Sequence, residues 1–98
     1  MIDYKELETW LASGKPLQVV DVREEWEYEE TPGLPTVSIS VYELKDKISE
    51  LNPSLPIVVV CASGQRSGLA VKVLQESGFA NVMSLSGGLK EWMSHQKG

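Results

Sequence analysis

The sequence predicts an α/β fold, with a mostly parallel central sheet and helices on both of its faces. Three observations predict it. Strand-like and helix-like stretches alternate along the chain, the order that parallel crossover units produce. The run Ile57-Val58-Val59-Val60 is apolar at every position, as a strand covered on both sides requires. The 98 residues, 42% of them apolar, suffice for one core and not two, so residues 1–98 read as one domain.

Asp3 followed by Glu6 reads as a capping box, and Leu7, Trp10 and Leu11 have helical spacing. Gly14 ends that helix and Pro16 prevents its resumption. Leu17 to Val22 is expected as a strand, with Val19, Val20 and Val22 as its apolar body. Glu24 to Glu30 is a short helical stretch, and Thr31-Pro32-Gly33-Leu34-Pro35 a loop. Val37 to Ile39 is a short strand. Ser40 with Glu43 reads as a second capping box, with Leu44, Ile48 and Leu51 on one helical face. Asn52 to Pro56 is a connector into the buried strand at Ile57. The helix after it, patterned from Leu69 to Leu74, stops at Gly78. Val82 to Leu85 is a last strand, Gly87-Gly88 a turn, and Leu89, Trp92 and Met93 mark a final short helix. Trp10, Trp26 and Trp92 are read as packing residues and His95 as solvated.

Charge and cysteine content exclude several functions. The net charge is −5, and residues 21–30 alone hold six acids against Arg23, matching the whole excess. There is no basic stripe, so nucleic acid is not expected as a partner. The acidic run reads as a solvated helix face or as a docking patch for a basic partner. No apolar run approaches a membrane span, and no secretory leader pattern opens the chain. One cysteine forms no internal disulfide, which points to the reducing cytoplasm. One Cys with one His offers no metal cluster, and no cofactor is implied.

Chemistry concentrates at Cys61, which opens the run Cys61-Ala62-Ser63-Gly64-Gln65-Arg66-Ser67. A thiol at the carboxyl end of a strand, before a short glycine-containing loop and a helix start, lies in a field of backbone N–H groups. That field favours thiolate over thiol and cradles an anion. A lone cysteine after valines also serves as a small core hydrophobe. Core packing alone, however, calls for neither Gly64, Arg66 nor two hydroxyls within six residues. Ligands of parallel sheets bind beyond the carboxyl ends of the strands, where Arg23 is expected as well. Arg66 either binds substrate or bridges inward to hold the loop. Asp21 and Arg23 form a supporting strand-end pair. Ser67 caps the following helix, with donation to the sulfur as its alternative. Gly64 supplies a conformation that other residues avoid.

These residues, in this order, resemble the rhodanese family. Asp21-Val22-Arg23 follows the first buried strand, and Glu27-Tyr28 comes shortly after. Pro56 to Cys61 leads into Gly64, Arg66 and Ser67; Leu74, Gly78-Phe79 and Gly87-Gly88-Leu89-Lys90-Glu91-Trp92 complete the match. The resemblance implies a single rhodanese-like domain and a sulfurtransferase of the thiosulfate:cyanide type. Cys61 would carry a sulfane sulfur as a persulfide inside the loop Ala62, Ser63, Gly64, Gln65 and Arg66. The donor would be thiosulfate or a persulfide, and the acceptor cyanide, a thiol or a protein, with a basic protein as a further donor or acceptor. The stretch Thr31 to Thr36 departs from the family's histidine-containing Gly-His-Ile-Pro-Gly-Ala-like loop. The alternatives are a non-catalytic interaction module and a phosphatase or arsenate reductase. The latter relatives place five residues between Cys and Arg, where this chain has four.

Overall fold

Four parallel strands form the sheet in the order β2-β1-β3-β4, with β1 Gln18–Asp21, β2 Val37–Ser38, β3 Ile57–Val60 and β4 Val82–Ser84. The computed structural model describes residues 1–24, 26–27 and 37–95. Expected features between residues 28 and 36, including the Thr31 to Thr36 stretch, lie outside them. Among the described residues three helices have both ends defined: α1 (Tyr4–Ala12), α2 (Gln65–Glu76) and α3 (Gly88–Ser94). Residues 26 and 27 are also helical. Among the described residues, no helix is long and apolar enough to cross a membrane.

Strand alternation divides the core into two layers. Val20, Ile57, Val59 and Cys61 face α2, where Ala70 and Leu74 meet them, together with Leu44 and Leu51. Val19, Val58 and Val60 face the other side, against Leu7 of α1 and Leu89 and Trp92 of α3. All four β3 side chains are fully buried, each contributing about 1.5–3 kcal/mol of apolar transfer. The same alternation aims Cys61, two residues beyond Val59, at the α2 side.

Several elements differ from expectation. The first strand is shorter than Leu17–Val22, although Val22 N–H still donates to Val60 O at 3.0 Å. Asp3 caps α1 as expected, accepting from Glu6 N–H at 2.8 Å. The second capping box does not form. Ser40 Oγ is engaged by the Glu24 carboxylate and accepts from Tyr42 N–H, while Glu43 turns to Lys47. Residues 41–47 therefore run as turns into a 3₁₀ turn, Ile48–Glu50, and still bury Leu44 and Leu51. Trp92 packs in the core and Trp10 lies under the Lys15 ammonium, but Trp26 is exposed. His95 is exposed, as expected, yet its ring stacks on Tyr4 with centroids 3.7 Å apart.

Candidate functional site

Because all strands are parallel, the residues that follow β1, β2 and β3 emerge at one edge of the sheet. Cys61 leaves β3 there, with its residue 1% exposed. Its Sγ accepts from Gly64 N–H at 3.0 Å and from Ser67 N–H at 3.3 Å. Burial pushes the thiol up, but the Ser67 hydroxyl and the N–H groups of Ser67, Gly64 and Ser63 outweigh it and hold the Cys61 pKa below its ordinary value.

The loop's carbonyls are drawn to the start of α3. Leu89 N–H donates to Cys61 O at 2.8 Å, and Lys90 N–H to Ala62 O at 3.0 Å. In a trans peptide the N–H opposes the C=O, so this docking turns the N–H groups of Ala62 and Ser63 away from α3. Gly88 permits the contact. A Cβ at this position would lie 2.6 Å from Ala62 O and 2.7 Å from Cys61 O. Gly64 is different. Its φ of +99° is the left-handed conformation expected of it, while a Cβ there would meet nothing closer than 3.8 Å.

Ser67 corrects the sequence-based reading. The position that caps α2 is Gly64, with no side-chain bond. Ser67 lies inside the first turn, fully buried, and its Oγ donates to Gly64 O at 3.0 Å. The same hydroxyl is within reach of the Cys61 sulfur and helps lower its pKa. Ser63 and Gln65 are exposed at the loop surface, and Ala62 is half-buried.

Arg66 bridges to Glu27. Nη1 and Nη2 meet Oε2 and Oε1, both at 2.6 Å, in the bidentate geometry that guanidinium and carboxylate favour. This bond holds Glu27 down at about 2, below its ordinary 4.5, and raises Arg66. Asp21 and Arg23 form the buried strand-end pair, with Arg23 Nη2 2.9 Å from Asp21 Oδ2 and both carboxylate oxygens engaged by Nε. Arg23 also reaches Glu27 O at 3.5 Å, which ties this pair to the Arg66 pair. Glu27 and Gly88 gain roles that sequence reasoning did not assign. Both residues belong to the family resemblance, but in the sequence Glu27 is otherwise one acid among six and the Gly87-Gly88 doublet a turn, with no part in the site.

A cysteine cradled by backbone donors at the carboxyl end of a parallel strand defines a class of anion-holding site. The Rhodanese-like domain family matches residues 3–95, and the chain belongs to that family. It is 34% identical over 80 residues to the putative sulfur carrier protein YrkF of Bacillus subtilis (strain 168), an overlap that covers 82% of this chain and 43% of that protein. It is 31% identical over 90 residues to the thiosulfate sulfurtransferase GlpE of Coxiella burnetii (strain RSA 493 / Nine Mile phase I), covering 91% and 84% respectively. The crystal structure of a rhodanese-like domain protein from Staphylococcus aureus is similar at a TM-score of 0.85 and 30% identity, over 93% of this chain and 88% of that one. The chain thus spans less than half of the first relative and most of the other two.

Proposed function

We propose that this protein is a cytoplasmic sulfurtransferase, with residues 1–98 acting as one domain and Cys61 as both nucleophile and sulfur carrier. The Cys61 thiolate attacks the outer sulfur of a donor such as thiosulfate. The donor's S–S bond breaks, sulfite leaves with the electron pair, and Cys61 becomes a persulfide anion. A nucleophile, whether cyanide, a thiol or an acceptor protein, then attacks the terminal sulfur, and the electron pair returns to Cys61 as thiolate. No external oxidant or reductant is consumed.

The observation that carries this reading is the set of N–H donors converging on Cys61 Sγ. Fixed dipoles stabilise a sulfur anion in a water-poor loop without supplying a proton that would quench it. Ala62 to Arg66 would surround the terminal sulfur, with the Ser67 hydroxyl as a further donor. The relatives named as a sulfur carrier and as a thiosulfate sulfurtransferase support the same chemistry. Four residues between Cys61 and Arg66 make a ring suited to one sulfur atom rather than to a tetrahedral oxyanion. The commitment of Arg66 to Glu27 also argues against phosphoryl or arsenate binding.

Intact-mass analysis after incubation with thiosulfate or with a cysteine-desulfurase system tests this. The expected result is a gain of one sulfur, removed by cyanide or reductant and absent in Cys61→Ser. A Cys61→Ser protein that still transfers sulfur, or a wild-type protein that gains none from either donor, would refute it.

A further inference from the structure

Three of the largest exposed apolar side chains lie on segments that leave the sheet at its carboxyl edge, the edge at which Cys61 stands. Trp26 is 62% exposed, Tyr42 79% and Leu69 55%. Topology places them together. Trp26 follows β1, Tyr42 follows β2, and Leu69 lies one turn beyond Arg66 on α2, so all three belong to the carboxyl edge of the sheet. The Arg66–Glu27 ion pair links them. Trp26 adjoins Glu27 in the chain, and Tyr42 lies within electrostatic reach of Arg66. Exposed aromatic clusters of this kind mark protein interaction sites, and Trp and Tyr are the residues most enriched at binding hot spots.

The charge around this ring is acidic. Among the described residues of the strand-exit segments 21–30, 41–50 and 61–70, six acids stand against four bases. Arg66, Lys47 and Arg23 are each engaged by a carboxylate. The sulfur itself lies at the floor, so a partner must deliver its reactive atom on a narrow projecting segment.

We propose that Trp26, Tyr42 and Leu69 form a docking surface for a basic protein that exchanges sulfur with Cys61 through a cysteine on a projecting segment. This partner class rests on the sulfurtransferase reading, whereas the surface itself is tested by binding alone. The probe is a synthetic peptide rich in lysine and leucine with a terminal cysteine, used in a serine form for binding and in a persulfide form for loading. A version with glutamate in place of lysine is the control. Wild-type protein should bind the serine form at least about tenfold more tightly than Trp26→Ser/Tyr42→Ser/Leu69→Ser, and more tightly than it binds the glutamate version, with affinity falling as salt rises. The persulfide peptide should load wild-type Cys61 about tenfold faster than it loads the triple variant. Glutathione persulfide, too small to span the ring, should load both within about twofold. Equal binding by wild type and triple variant, no binding by either, or indifference to the lysines overturns the surface. If the serine peptide discriminates as expected but no donor loads Cys61, the docking surface stands and the sulfurtransferase reading falls.

Discussion

The exits of β1 and β3 lie side by side, with Asp21 paired to Val60 in register, yet they use opposite means. At the β1 exit, charged side chains close on one another: Arg23 on Asp21, and Glu27 on Arg66 across the gap. At the β3 exit no charged side chain touches the sulfur among the described residues. Backbone N–H groups and one hydroxyl do so instead. The β1 exit is a scaffold of paired charges, and the β3 exit is a cradle left open for a negative one. Arg66, read from the sequence as either a substrate ligand or an inward bridge, is paired with Glu27.

Breaking the scaffold should have the largest effect on stability. Arg23→Leu leaves the Asp21 carboxylate buried without its principal counter-charge, and should cost about 3–5 kcal/mol in chemical denaturation. Gly88→Ala attacks the cradle. Its φ of +66° and the clash with the Cys61 and Ala62 carbonyls together should cost about 2–4 kcal/mol and slow sulfur loading, because the loop must move off α3. Gly64→Ala separates conformation from space. With open room for a Cβ, it should cost only about 1–2 kcal/mol, in the same denaturation measurement.

Glu27→Gln should cost least, about 1 kcal/mol, since Arg66 is partly exposed and regains water. It should also release the guanidinium toward an anionic donor, so that the KM for thiosulfate falls severalfold at low salt and less at high salt. An unchanged KM would show that the ion pair does not govern donor choice. The pH dependence has a defined sign. Glu27 is depressed from 4.5 to about 2, so its stabilisation is fully present above the ordinary value and is lost as pH falls through about 2. Melting temperatures of wild type and Glu27→Gln should differ near neutrality and converge in that acid window.

How much was legible in the sequence follows the same division. Periodicity and a fully apolar strand exposed the parallel sheet and its two-sided core, because burial writes itself into residue type. Cys61, Gly64 and the Asp21–Arg23 pair were legible as chemistry set at a strand end. Ser67 was misjudged because a serine near a helix start ordinarily caps it, whereas here the left-handed Gly64 takes that position and pushes Ser67 inside. The Ser40–Glu43 box failed because Glu24, distant in sequence, engages the Ser40 hydroxyl. Gly88 was invisible as a site residue, since its contribution is the side chain it lacks and the partner is a carbonyl 26 residues away.

The pH dependence of Cys61 alkylation by iodoacetamide tests most directly whether backbone and hydroxyl donors, rather than a cation, activate the sulfur. The wild-type midpoint should lie below the free-thiol value of about 8.5. Ser67→Ala should move it upward, while Arg66→Gln should move it much less, because Arg66 is already engaged by Glu27. A wild-type midpoint at or above the free-thiol value, or a larger shift from Arg66→Gln than from Ser67→Ala, would contradict activation by the loop.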